Sequence, residues 1–180
     1  QHLRHRHFKQ DKAGRTWFLN LSEQDAVSDE TLAAVRFLPH LRELYLIYCP
    51  IRGHGLECLA SLKRLEKLDL FATQIDDAAI PLLVKATTLK YLDIRSISVE
   101  GTERNALRYG LITDDALRQI SEALPELESL LFSGKVTDAG LRHLINLKKL
   151  RYVEIASPQV TAEGVRWLQQ SRPDLEILHD

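Results

Sequence analysis

The sequence contains no methionine, only two cysteines and no long uninterrupted apolar run. A membrane-spanning helix needs about 20 apolar residues, so the missing run predicts no membrane span, and the first ten residues lack the apolar core of a signal peptide. Cys49 and Cys58 are too few for a disulfide framework or a zinc site with four cysteines. We expect two buried free thiols, with a single bridge as the alternative. Since methionine is missing, we expect that residue 1 is not the native start.

The sequence also has little net charge. Its 24 Lys and Arg residues oppose 25 Asp and Glu residues, which leaves a formal charge of -1. No global field therefore attracts nucleic acid or an anionic membrane, and we expect neither as a partner. The content of 44% hydrophobic and 27% charged residues is typical of a globular domain with a core. With no targeting segment in view, we expect a cytoplasmic monomer.

An internal repeat dominates the sequence. The segment VTDAGLRHL at 136–144 reproduces the pattern of ITDDALRQI at 112–120. Each unit begins with the pattern L-x-x-[LV]-x-[LIF], and most units begin 23 to 25 residues after the previous one. Such a period is the signature of stacked structural units. The recognisable units begin at Leu41, Leu65, Leu89, Leu127 and Leu150, with an earlier unit near Thr16 and a truncated one at Leu175.

Each unit is predicted to contain a strand, a turn and a helix. The alternation of Leu44 and Leu46 is typical of a strand with one buried face, and the apolar spacing then lengthens to three to five residues, as on a helix. Acids in the first turn suit the helix dipole, and we expect the small residue that follows them to lie where the helix backbone meets the strand backbone. The predicted N-caps are Ser28, Asp76, Thr113, Thr137 and Thr161; the acids are Asp77, Asp114 and Asp138; the small residues are Gly55, Gly140 and Gly164.

These motifs resemble leucine-rich repeats of the cysteine-containing, helix-bearing "TDAGL" type, over about residues 16–178. The resemblance implies an α/β solenoid, with parallel strands on a concave face and helices on a convex face. It also implies that Cys49 and Thr73 bond the turn backbone. Residues 1–15 would form an N-terminal extension or cap, and residues 16–180 a repeat domain of about six units. The implied function is a protein-binding scaffold with no intrinsic catalysis and no cofactor or metal.

In such a solenoid the residues between the buried leucines point out of the concave sheet and form the candidate contact surface. Aromatic side chains are frequent among them, and exposed Tyr and Phe are common anchors of protein interfaces. The alternative is that these aromatics cover neighbouring strands and stabilise the sheet. The predicted partner-binding residues on this face are Tyr45, Lys67, Asp69, Phe71, Tyr91, Asp93, Arg95, Tyr152 and Glu154.

One unit is longer than the others. The 38 residues between Leu89 and Leu127 indicate an insertion near residues 98–111, between the strand and the helix of that unit. Insertions in repeat proteins often lie on a binding face, although a tolerated surface loop is the alternative because lengthening a loop costs little entropy. Its predicted partner-binding residues are Arg104, Arg108 and Tyr109.

Three other functions remain open from the sequence. The chain could be the substrate-recognition part of a larger multidomain protein, such as a ubiquitin-ligase adaptor, or a structural spacer. An enzyme is disfavoured because the histidines of the repeats lie in different units with no recurring acid or nucleophile. A cryptic hydrolase or metal site would have to use His2, His5 and His7.

Overall fold

The computed structural model describes residues 7–24, 26–96 and 112–179. They form one sheet of eight strands that lie side by side in chain order. The first two strands pair antiparallel, and every later pair is parallel. This is the α/β solenoid that the repeat predicts, with each unit packed on its sequence neighbours. The strands are β1 (Phe8–Gln10), β2 (Thr16–Asn20), β3 (Glu43–Tyr45), β4 (Lys67–Asp69), β5 (Tyr91–Ile94), β6 (Ser129–Ser133), β7 (Tyr152–Ala156) and β8 (Glu176–His179).

A helical segment follows each of the strands β2 to β7. Two of these segments are full α-helices of 10 residues, and the others are short or contain 3-10 turns. The segment at 54–61 is entirely 3-10, and its N-cap Gly53 has a φ of 132°. The α-helices are α1 (Asp29–Leu32), α2 (Ile80–Leu83), α3 (Asp114–Ala123), α4 (Asp138–Leu141) and α5 (Ala162–Ser171), and the 3-10 segments are Ala33–Phe37, His54–Ser61, Asp77–Ala79 and Arg142–Asn146.

Equivalent leucines stack between the sheet and the helical segments as one ladder. Leu44 pairs in register with Leu68, and Leu68 with Leu92, so the same side chain position repeats from unit to unit. All three are fully buried and belong to a single hydrophobic cluster. The predicted ladder is confirmed. Its members are Leu44, Leu46, Leu68, Leu70, Leu92, Ile94, Leu130, Phe132, Val153 and Ile155.

The predicted caps are confirmed, and the acids beside them have a role that the sequence did not reveal. Each predicted cap residue is the N-cap of its segment. The acid that follows the cap then accepts hydrogen bonds from the next unit. Asp138 accepts from both the backbone N–H and the hydroxyl of Thr161, at 2.8 and 2.7 Å, and Asp114 bonds Thr137 in the same way. These carboxylates therefore join adjacent units in addition to facing the helix dipole.

The small residues of the repeat make room for these carboxylates. A Cβ atom on Gly164 would collide with the carboxylate of Asp138, and a Cβ on Gly140 would collide with that of Asp114. The expectation that these glycines lie against strand backbone was wrong, because the close neighbour is the first turn of the preceding helical segment. The glycine and the acid are therefore complementary parts of one contact between units.

Side chains in the strand-to-helix turns bond the backbone as the resemblance implied. The Cys49 thiol donates to the carbonyl oxygen of Leu21, at 3.1 Å, and the Thr73 hydroxyl donates to that of Leu70, at 2.7 Å. Cys49 and Cys58 are both free and buried, which confirms the expected thiols. Burial raises the pKa of the Cys58 thiol to about 11, so this residue is an unreactive thiol at neutral pH.

Part of the N-terminal extension, residues 8–10, adds an antiparallel strand beside β2.

The predicted insertion, with Arg104, Arg108 and Tyr109, lies outside the described residues. No helix within 7–24, 26–96 or 112–179 is long and apolar enough to cross a membrane.

Truncating one ladder side chain tests the shared core. Leu68→Ala removes a fully buried side chain between two adjacent units, so we expect the free energy of unfolding to fall by about 2–5 kcal/mol. The control Phe37→Ala removes a larger side chain that is 73% exposed, and its effect should stay within about 0.5 kcal/mol. Urea unfolding compares the two variants, and similar losses in both would contradict a continuous core.

The contact between units should also depend on pH. The hydrogen bonds from the backbone and hydroxyl of Thr161 hold the pKa of Asp138 below its usual value. Its stabilisation is therefore complete above the ordinary aspartate pKa of about 3.9 and is lost as the pH falls through the lower folded pKa. We expect Asp138→Ala to destabilise the protein at pH 7 by about 1 kcal/mol, since the site is exposed and screened. A stability difference that persists unchanged on acidification would contradict this account.

Candidate binding surface on the concave sheet

The face of the sheet turned away from the helical segments, here called the concave face, carries the predicted partner-binding residues in register. Tyr45 pairs with Asp69, and Asp69 pairs with Asp93 on the next strand. Lys67 similarly pairs with Tyr91. The strand pairing therefore brings residues from separate units into one surface. Its members are Tyr45, Lys67, Asp69, Phe71, Tyr91, Asp93, Arg95, Tyr152 and Glu154.

Two of these residues are less exposed than predicted. Asp69 is 7% exposed and Asp93 only 1%, although both belong to the concave row. Each carboxylate folds back to accept a backbone N–H two residues further along: Asp69 from Phe71 at 3.1 Å, and Asp93 from Arg95 at 3.0 Å. Asn20 makes the same turn with Ser22 in the first repeat. The expectation that both aspartates lie exposed on the contact surface was therefore wrong.

Asp93 is fully paired within the sheet. The Arg95 guanidinium donates to both of its carboxylate oxygens and also to Glu154. Burial would lower the pKa of Arg95, but the hydrogen bonds and charge of Asp93 and the charge of Glu154 raise it. Leu131 lies between Asp93 and Glu154 in the register and is 5% exposed. The arginine is consequently a fixed part of the surface.

Asp69 differs from Asp93 because one of its oxygens has no partner. Its Oδ1 accepts from Phe71, whereas its Oδ2 accepts no hydrogen bond from any described residue. Burial raises the pKa of this carboxyl, and the neighbouring charge of Asp93 adds to the effect. The charged form is therefore destabilised by its surroundings. A donor from outside the chain could relieve this cost.

The aromatic side chains around Asp69 are held by the chain's own cations. The Lys67 ammonium lies 4.1 Å from the ring centroid of Tyr91 and 5.2 Å from that of Tyr45. Arg95 lies 5.1 Å from the ring of Phe71. Burial, followed by the charge of Asp93, raises the pKa of Tyr91 to about 12, so its hydroxyl stays protonated and can donate. These rings contact residues of adjacent strands, as the alternative interpretation expects, and remain half-buried. Their role as partner anchors stays a prediction.

Sequence reasoning missed one aromatic residue at the edge of this surface. Tyr48 is 48% exposed and packs edge-on against Phe71, with ring centroids 5.8 Å apart. Its backbone has a φ of 60°, a left-handed conformation that is rare for a bulky residue. The repeat pattern gave no signal for it, because its position in the turn lies outside the alternation of the strand. Glu23 and Ala72 adopt the same conformation in neighbouring turns.

The alternative metal site of the sequence analysis uses N-terminal histidines. His2 and His5 lie outside the described residues, so the alternative metal site with His7 is not described. Within the described ranges, no group of three or more His, Cys, Asp or Glu side chains could hold a metal ion.

Comparisons with known proteins agree with this architecture. A leucine-rich-repeat family model matches residues 37–60. An internalin from Listeria monocytogenes superposes with a TM-score of 0.57 at 20% identity, over 82% of this chain and 37% of its own. The leucine-rich-repeat ectodomain of the receptor kinase SOBIR1 from Arabidopsis thaliana gives a TM-score of 0.46 at 18% identity, over 86% of this chain and 78% of its own. No curated protein sequence matches. The chain therefore has the leucine-rich-repeat fold and spans about a third of the internalin's length.

Asp69→Asn tests the cost of the buried charge. Asparagine keeps the acceptor for the Phe71 N–H, as Asn20 does in the first repeat, but removes the charge. The pKa of Asp69 is raised in the folded protein, so its ionised carboxylate destabilises the fold. This destabilisation is complete above the folded pKa and disappears as the pH falls below the ordinary aspartate pKa of about 3.9. We expect the variant to be more stable at pH 7 by about 0.5–2 kcal/mol, and to lose this advantage in acid. Denaturant unfolding at several pH values measures it, and a destabilised variant at pH 7 would contradict the assignment.

Proposed function

We propose that the chain is a protein-binding module that recognises its partner through the concave face. The leucine-rich-repeat fold is typical of protein-interaction scaffolds, and it presents one continuous sheet surface across all units. The proposed anchors are the half-buried aromatics Tyr45, Phe71 and Tyr91, together with the carboxylate of Asp69. No chemical step is assigned to the surface.

The open oxygen of Asp69 is the observation that carries this proposal. An amide at this position would make the same turn, as Asn20 does, without the cost of burying a charge. Proteins often sacrifice stability at functional sites in this way. The Asp69 side chain is 7% exposed and lies next to Tyr45 in the strand register, and in such partly desolvated surroundings a hydrogen bond or ion pair is stronger than in bulk water. A lysine, arginine or amide donor of the partner would satisfy it.

The rigidity of the surface supports the same role. Arg95 is held by Asp93 and Glu154, and Lys67 is held between two tyrosine rings. Tyr45 and Tyr152 each donate a hydrogen bond to a glutamate on their own strand. Side chains that are already ordered lose little entropy when a partner binds, so more of the contact energy contributes to affinity.

A pull-down with matched variants tests the concave site. Tyr45→Ala with Phe71→Ala removes two proposed anchors, and interface anchors of this kind contribute about 2 kcal/mol or more each, so we expect partner recovery to fall at least tenfold. Phe37→Ala removes a more exposed aromatic from the helical side and should leave recovery unchanged. The bait is the whole chain, cross-linked in a lysate of the source organism.

Asp69→Asn separates recognition from folding in the same assay. The variant is expected to fold with at least the stability of the wild type, so a loss of partner recovery would reflect the missing charge alone. Undiminished recovery with both the double variant and Asp69→Asn would defeat the concave-site proposal.

A further inference from the structure

A second surface lies beside the concave face, at the rim where strands β3, β4 and β5 begin. A groove of about 540 Å³ opens there, between side chains of the first four units. Five cationic and three acidic side chains line it, so it is locally basic although the whole chain is slightly acidic. Trp17 and Tyr91 supply apolar walls. The groove therefore combines positive charge with aromatic surface.

The charges along this rim are neutralised unevenly. Towards the C-terminal end, two cations pair with an acid of an adjacent unit: Lys149 lies 2.5 Å from Glu126, and Arg151 lies 2.8 Å from Asp174. At the groove, Arg42 is exposed and forms no ion pair with any described residue.

Arg64 is likewise exposed and without an ion pair among the described residues, although it occupies the rim position equivalent to that of Lys149. Arg42 and Arg64 thus both line the groove without an ion pair to a described residue, whereas Arg15 and Lys90 pair there with Asp11 and Glu66. Guanidinium groups match carboxylates in a two-point geometry, which makes them suited to recognising acidic side chains.

An unpartnered polar atom lies at the same place. The imidazole of His40 lines the groove, and its Nδ1 is buried without a hydrogen-bond partner in the described part of the chain. Buried polar atoms without a partner are rare in native proteins. His40 thus adds a polar side chain to the wall of the groove.

We propose that the groove binds an acidic peptide segment of a partner protein. Arg42 and Arg64 pair with its carboxylates, while Trp17 and Tyr91 pack against its apolar side chains. The groove shares Tyr91 and Lys67 with the concave face, but the two arginines that carry the assignment lie outside that surface. The proposal therefore stands whether or not the concave face is itself a binding site.

A peptide fits this groove better than a nucleic acid does. Glu43 and Glu66 lie among the cations and would repel a continuous row of phosphates. A peptide backbone instead has N–H groups that can donate hydrogen bonds to these carboxylates. The groove is also short, spanning a few units, whereas nucleic-acid surfaces are usually extended basic stripes.

Fluorescence anisotropy with the whole chain tests the assignment. The probes are fluorescein-labelled octaglutamate, octalysine and an eight-nucleotide thymidine strand. Arg42→Gln with Arg64→Gln should weaken octaglutamate binding at least tenfold. Lys149→Gln with Arg151→Gln removes the same charge from the paired end of the rim and should change the affinity less than twofold. Circular dichroism checks that both variants fold.

The outcomes separate this groove from the concave site. Retained octaglutamate binding by Tyr45→Ala with Phe71→Ala supports an independent groove. Equal weakening in the two rim variants would overturn the proposal, because it would indicate a general charge effect. Absence of saturable octaglutamate binding, or tighter binding of the thymidine strand, would also overturn it, the latter in favour of nucleic acid.

Discussion

The structure depends on one constraint: no unit can bury its apolar residues alone. A three- to five-residue strand and a short helical segment enclose too little volume to exclude water, so each leucine of the ladder needs its equivalents in the units before and after it. In-register stacking meets this need, and the hydrogen bonds between parallel strands fix the spacing. The contact of Asp138 with Thr161 shows the same dependence at the helix ends, because a cap in one unit is held by an acid of another. Stability is therefore a property of neighbouring pairs of units.

The same stacking makes the concave surface. Once the leucines are in register, the residues between them are in register as well, so equivalent residues of successive units form one surface. This accounts for the contrast between two equivalent aspartates. Asp93 has Arg95 within reach and is neutralised, whereas Asp69 has Phe71 at the position equivalent to Arg95 and keeps one oxygen without a partner. One difference in side chain between successive units thus converts a structural turn into a candidate recognition point.

Sequence reasoning reached the periodic features and missed those that depend on long side chains. The leucine ladder and the N-caps could be predicted because each follows from positions within one unit. The burial of Asp93 could not, since it depends on Arg95 extending to Glu154, 59 residues further along the chain. The need for glycine at position 164 beside Asp138 was also hidden, because the two residues belong to different units. The groove was missed for a related reason: it is built from residues just before the strands, where the repeat pattern specifies no residue type.

The two surfaces have opposite electrostatic character, and this bears on what kind of partner the chain would suit. The concave face offers the carboxylate of Asp69 beside aromatic rings, whereas the adjoining rim offers two arginines that form no ion pair with any described residue. A partner with clustered charge of one sign would be attracted to one surface and repelled by the other. A partner in which a basic or hydrogen-bonding side chain lies a short distance from an acidic segment would engage both. Because Lys67 and Tyr91 belong to both surfaces, a partner that engages one surface also contacts residues of the other. Because adjoining surfaces carry opposite charges, they favour a partner whose charges alternate in the matching pattern. A segment with charge of only one sign would bind less tightly.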